Sequence, residues 1–279
     1  MVDLVLQFSD FMVTRGYLSP STAEGYVSDI RHFEKWYGRH QRQARWSALT
    51  SEEVEEFISA EVADGKEFSS INRSLSALSS FYGYFVCHKM LSVNPVAKVR
   101  RLRPTYHQRE ALDMDTIRQV LSQDGLSDST RALIALISES GLRIGEVMAL
   151  TPDDVNLEYC QVRVVGKGRV ERMCFFGPTA QKYLREYMYG RHFPGRLFPE
   201  SRRQYNWDVW HACKPFVGES KCSPHILRHS FATACLENGM PIDVLRLTLG
   251  HKSIDTTLLY AHCGGSRVRS YNDSFGARI

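Results

Sequence analysis

A chain of 279 residues has room for two domains of unequal size, each able to bury its own core. With 43% hydrophobic and 24% charged residues, its composition excludes a disordered or fibrous protein. The formal net charge of +4 permits a nucleic-acid partner without requiring one. Seven cysteines (Cys87, Cys160, Cys174, Cys213, Cys222, Cys235 and Cys263) form no C-x-x-C pair, which speaks against a zinc ribbon and a dense disulfide framework and suits a reducing cytoplasm. Asp3 and Asp10 interrupt the apolar start, so no secretory signal is read there. No stretch approaches the roughly eighteen apolar residues of a membrane span, and a soluble cytoplasmic protein is expected.

Residues 2 to about 98 have helical patterning. Leu4, Leu6, Phe8, Phe11 and Met12 crowd one side of a first helix. Ser19-Pro20 supplies an N-cap and a first-turn proline for a second, whose Tyr26, Ile30, Phe33 and Tyr37 recur at spacings of three and four. A third helix begins near Ser51, with Glu52 and Glu53 favourably placed against its dipole. A fourth is expected from about Ser69 through Leu75, Leu78 and Phe85 to Lys89, stopped by Asn94-Pro95. Lys98 to Arg109, KVRRLRPTYHQR, is basic, contains Pro104 and lacks apolar periodicity, as a linker does. It is either a solvated tether or a strap along DNA phosphates.

The second half opens with a helix near Asp115 to Leu121, followed by the apolar run ALIALI leading into Ser140-Gly141. Residues 160 to 176, CQVRVVGKGRVERMCFF, alternate apolar and polar side chains about Gly166-Lys167-Gly168, which predicts a β-hairpin with Lys167 at its tip. The remainder reads as helical, with stops at Gly190, Gly218, Gly239 and Gly264 and a proline start at Pro241.

Three local sequences carry the chemistry: GLRIGEVMAL at 141 to 150, SPHILRHSFAT at 223 to 233 and LGHKSIDTTLLY at 249 to 260. With the hairpin lysine they resemble, in order, the catalytic boxes of the tyrosine recombinase (phage integrase) family, and the helical first half resembles the core-binding domain of phage integrases and Xer-type recombinases. The resemblance spans nearly the whole chain. It implies an all-α, SAM-like core-binding domain over residues 1 to 103, a linker over 104 to 108, and a mainly α catalytic domain with a small antiparallel sheet over 109 to 279. The match puts the first catalytic arginine on Arg143, the lysine on Lys167 and the second arginine on Arg228. His225, His251 and the nucleophile Tyr260 complete the set, with Glu146 supporting Arg143.

The residue types suit the reaction. A phosphodiester gains charge on its equatorial oxygens at the transition state, and two guanidinium forks, charged at any working pH, answer it. A phenol with a pKa of about 10 needs help in losing its proton, which makes His225 the candidate base. The departing 5′-oxygen needs a proton, which Lys167 on a hairpin tip can deliver. His251 is expected to brace a non-bridging oxygen. Because a 3′-phosphotyrosine keeps the energy of the broken bond, rejoining needs neither ATP nor metal, and no cofactor is implied. No Walker loop or acidic metal-binding cluster is seen.

Each residue also has a plainer reading. Arg143 alone reads as a surface helix residue paired with Glu146. His225 and His229 stand four apart, as metal ligands can, but without an H-E-x-x-H motif, and His229 is expected to be structural. Lys167 is by default a solvated turn residue, and Tyr260 is one of thirteen tyrosines, with Tyr271 as its nearest decoy. Arg31, Arg73 and Arg101 are candidate DNA contacts that are as readily merely solvated. A type IB topoisomerase-like enzyme and a catalytically silent site-specific DNA-binding protein are the rival readings. The partners implied by the resemblance are duplex DNA at a specific site and three further copies, a homo-tetramer on two sites in the nucleoid. The segment SRVRSYNDSF, beginning at Ser266, is expected to dock on a neighbouring protomer.

Overall fold

The computed structural model describes residues 3–40, 46–103, 111–165, 171–217 and 222–250. The chain divides into two units, Met1–His107 and Gln108–Ile279.

In the first unit, α1 (Leu4–Thr14) starts where the Asp3 carboxylate accepts from the backbone N–H groups of Val5 and Leu6 at 3.0 and 3.3 Å. For α2 (Pro20–His40), Ser19 Oγ accepts from the Thr22 amide at 3.3 Å, and Pro20 fills a position that needs no N–H. A capping box opens α3 (Ser51–Ala63): the Glu53 amide donates to Thr50 Oγ1 at 3.3 Å, and the Thr50 amide donates to the Glu53 carboxylate at 2.9 Å. These helices and α4 (Phe68–Cys87) enclose Phe8, Ile30, Phe33, Phe57, Leu75, Leu78, Phe81 and Phe85. The aromatic rings interlock edge to face, Phe33 on Phe57 at 5.0 Å and Phe81 on Phe85 at 4.9 Å.

α4 ends earlier than its pattern predicts. Lys89 turns left-handed at φ 58°, and the amides of Met90 and Leu91 fold back onto the Phe85 carbonyl, so the helix is closed by local backbone bonds before Asn94-Pro95 is reached. Asn94 instead caps a short 3-10 turn at Pro95–Lys98. The start of the expected linker is also tied down. The Leu102 amide donates to Asn72 Oδ1, and Asn72 Nδ2 donates to the Leu102 carbonyl, so residues up to 102 belong to the surface of α4.

In the second unit, Asp113 caps α5 (Met114–Ser122) and Ser127 caps α6 (Asp128–Ser140). α6 carries the ALIALI run and is buried all round from Ala132 to Ser138, which makes it the central post. It leads through α7 (Ile144–Val147) to a three-stranded antiparallel sheet in the order β1 (Val155–Asn156), β2 (Gln161–Val165), β3 (Glu171–Phe175). The hairpin β2–β3 has the expected alternation, with Val162 facing Cys174 and Val164 facing Arg172. β1 was not anticipated, because two residues are too few to show a period.

α8 (Pro178–Met188) packs on α6. The α6 residue Glu139 accepts from the Ala180 amide at 2.8 Å, and a Cβ at Gly177 would come within 2.8 Å of that carboxylate, so the glycine makes room for the cap. α9 (Arg202–Val217), α10 (Pro224–Glu237) and α11 (Ile242–Leu249) complete the unit, and α6 also packs on α9 and α10. Gly190, Gly239 and Gly250 each have positive φ after α8, α10 and α11. Gly218 and Gly264 lie outside the described residues. Among those described, no helix is long and apolar enough to cross a membrane and no group of three His, Cys, Asp or Glu is placed to hold a metal ion.

Candidate active site

The GLRIGE box is a joint between α6 and α7. Gly141 closes α6 with φ 66°, and a Cβ there would stand 2.4 Å from the Phe231 ring and 2.8 Å from Leu249, so only glycine lets α10 and α11 approach the end of α6. Arg143 is thereby the residue before α7 rather than a surface helix position, and it is half-buried. Its amide donates to Glu146 Oε2 at 2.9 Å, its Nη1 donates to Glu146 Oε1 at 3.1 Å, and its Nη2 reaches the Gly250 carbonyl at 3.3 Å.

The second box lies on α10. Arg228 is 4% exposed, and it donates from Nη1 to the Gly141 carbonyl at 2.6 Å and from Nη2 to the Leu249 carbonyl at 2.9 Å. A buried guanidinium is stable only where its donors are matched, and here backbone oxygens from two other boxes match them. His225 is exposed one turn before Arg228 on the same helix, and His229 is half-buried one turn after His225. Ser230 anchors α10: its Oγ accepts from the Leu112 amide at 2.8 Å and donates to the Ile226 carbonyl at 2.9 Å.

The third contributor was missed by sequence reasoning. Arg172 on β3 donates from Nη1 to Glu146 Oε1 and from Nη2 to Glu146 Oε2, both at 3.0 Å, a bidentate pair. Burial alone would raise the Glu146 carboxyl, but the Arg172 hydrogen bonds, the Arg143 amide and both guanidinium charges hold it below the ordinary carboxylate value. Three guanidinium groups against one carboxylate leave the cluster net positive, as a phosphodiester site requires. A signal for Arg172 did exist: it shares strand parity with buried Cys174, and a charge at an inward-facing position demands a partner.

Thus Arg143, Arg228 and Glu146 converge, with His225 on the helix that carries Arg228. Lys167, His251 and Tyr260 lie outside the described residues; Lys167 falls between β2 and β3 in sequence, and His251 directly follows Gly250. The three candidate DNA contacts of the first unit are held within it. Arg31 pairs with Asp3 and Glu34. Arg73 makes a bidentate pair with Asp29 at 2.7 and 2.8 Å, and Arg101 donates to the Asn72 carbonyl and to Ser76 Oγ.

Comparison with known proteins gives the family and the fold. Residues 110–265 match the phage integrase family, and residues 5–89 match the phage integrase N-terminal SAM-like domain. Tyrosine recombinase XerD of Shewanella oneidensis is 28% identical over 99% of this chain and 97% of its own. XerD of Listeria monocytogenes serotype 4b is 27% identical over 100% of both chains. The fold is shared with the Tn1549 transposon integrase in complex with transposon right end DNA, with a TM-score of 0.75 at 18% identity over 99% of this chain and 100% of that one. It is shared also with a lambda integrase dimer bound to a COC′ core site, with a TM-score of 0.75 at 19% identity over 94% and 95%. The chain belongs to the phage integrase family and is a tyrosine recombinase.

Proposed function

We propose that, in the site-specific DNA recombination this family member carries out, Arg143 and Arg228 clamp the scissile phosphodiester while the Tyr260 hydroxyl attacks its phosphorus. The Tyr260 Oη–P bond forms and the P–O5′ bond breaks, leaving a 3′-phosphotyrosine. The phenolic proton passes to His225, Lys167 protonates the departing 5′-oxygen, and His251 donates to a non-bridging oxygen. Attack by a 5′-hydroxyl reverses the step, so strand rejoining draws on the stored ester and not on a nucleotide cofactor or metal. The observation that supports the clamp is the pairing of Arg228 and Arg143 with the consecutive carbonyls of Leu249 and Gly250, which open the His251 box.

Exchange of four strands with one nucleophile per chain calls for a homo-tetramer on two DNA sites, acting in integration, excision or resolution. On this reading the enzyme works in the cytoplasm with the nucleoid. In the first unit, Arg31, Arg73 and Arg101 supply phosphate contacts by exchanging part of their internal pairing for DNA oxygens. The test uses nicked duplexes built on the DNA recovered from crosslinks to the protein. The wild-type chain forms a covalent protein–DNA adduct, and Tyr260→Phe forms none. An adduct that persists in that variant removes Tyr260 from its role.

A further inference from the structure

We infer that Arg172 is a positioning residue for strand cleavage, setting the place of Arg143 by fixing both groups to which the Arg143 guanidinium bonds. This rests on the phosphate-clamp reading of Arg143. The first of those groups is the Glu146 carboxylate. It receives Arg143 on one side and both terminal nitrogens of Arg172 on the other, at 3.0 Å each. The second is the Gly250 carbonyl, 3.3 Å from Arg143 Nη2. Arg172 packs directly against that residue: a Cβ on Gly250 would stand 2.9 Å from Arg172 Cζ and 3.1 Å from Nε. One guanidinium therefore backs both partners of the other.

The division of labour follows from burial. Glu146 has 8% of its side chain exposed and Arg172 17%, whereas Arg143 has 39%. Were Glu146 merely in need of a counter-charge, Arg143 would suffice, through the pair three residues apart that the sequence already contains. The more buried cation is the one from β3, 26 residues away. Its two parallel bonds fix both the rotation and the position of the carboxylate, which a single cation on a flexible stem does not. The open side of Arg143 is then left to a phosphate. Arg172 stands on β3, two positions beyond the segment 166–170 in sequence, and with Glu146 and Arg143 it forms one joint. A clamp displaced by about 1 Å costs on the order of 100-fold in rate, so the joint acts on cleavage without touching DNA.

The experiment measures single-turnover adduct formation by wild type, Arg172→Lys, Arg172→Met and Arg143→Ala on two nicked duplexes. One carries the natural scissile phosphate and the other an uncharged methylphosphonate at that position. DNA affinity and the unfolding midpoint are measured alongside. On phosphate, Arg172→Lys and Arg172→Met are expected to fall roughly 10- to 100-fold with DNA affinity unchanged. On methylphosphonate, whose transition state asks less of the clamp, their deficit shrinks in the same direction as that of Arg143→Ala. A merely structural role predicts equal loss on both duplexes in step with the unfolding midpoint, and that result overturns the inference. Should Arg172→Met fail to bind DNA, Arg172→Lys decides. If Arg143→Ala itself loses equally on both duplexes, the clamp reading of Arg143 fails, and it fails separately from the role of Arg172.

Discussion

The arginines of the two units are partnered differently. Arg31, Arg73 and Arg101 lie on the surface of the first unit. Arg31 and Arg73 pair with carboxylates, and Arg101 is bonded to α4 through a backbone carbonyl and a hydroxyl. Arg143, Arg172 and Arg228 sit in the second unit on the carbonyls of Gly141, Leu249 and Gly250 and on one buried carboxylate. An ion pair between exposed groups, as of Arg31 with Asp3 and Glu34, holds helices together at little cost when lost. Pairing with backbone oxygens beneath the surface fixes a guanidinium without cancelling its charge, and that charge then remains for an anion.

The sharpest way to break this comparison is Arg228→Ala. The substitution strands the carbonyls of Gly141 and Leu249 and removes half of the proposed clamp. Adduct formation is expected to fall by about 1,000-fold or more, and stability by about 2–4 kcal/mol, read as a shift of the denaturant midpoint. A loss of stability no greater than that of a surface arginine would erase the distinction between the two units.

Much of this was legible in the sequence where the signal is local. Ser19-Pro20 opens α2, the ALIALI run is the central helix, and the alternation on both sides of Gly166-Lys167-Gly168 gives the paired strands β2 and β3, each because caps and periods act over a few residues. The end of α4 was misread because the bonds that close it, from Met90 and Leu91 to the Phe85 carbonyl, follow from a left-handed Lys89 that nothing in the local pattern announces. Arg143 and Arg228 could be singled out by their boxes, and Glu146 along with Arg143, but their backbone partners could not. Gly141, Leu249 and Gly250 act through backbone oxygens, which carry no side-chain signature. Arg172 was passed over because its significance depends on which face of β3 turns inward, and that is decided by the packing of Cys174.

Glu146→Gln sharpens the comparison at intermediate strength. The Gln side chain keeps one acceptor but leaves Arg172 and Arg143 without their shared charge, and stability is expected to drop by about 1–3 kcal/mol at neutral pH. The sign of the pH dependence follows from the depressed carboxyl. The wild-type advantage is fully present above 4.5, the ordinary carboxyl value, and is lost as pH falls through the lower value of the folded state. Denaturation of both proteins from neutral pH down to below 4.5 should therefore narrow the gap between their midpoints as the pH falls. A constant gap across the range would mean that the carboxylate charge contributes nothing to the joint.

The smallest effect is expected from Arg31→Ala. Both carboxylate partners, Asp3 and Glu34, keep more than a third of their side chains in water, so their pairs with Arg31 are screened and cost side-chain entropy to maintain. Stability should change by no more than about 1 kcal/mol. If Arg31 exchanges these partners for DNA phosphate, affinity falls alike on all sequences, and the slope of log affinity against log salt loses about one unit. A slope identical to wild type leaves Arg31 as a helix-surface ion pair and nothing more, and the first unit must then grip DNA through other residues. Either slope leaves the arginines of the second unit unaffected, because their partners lie elsewhere in the chain.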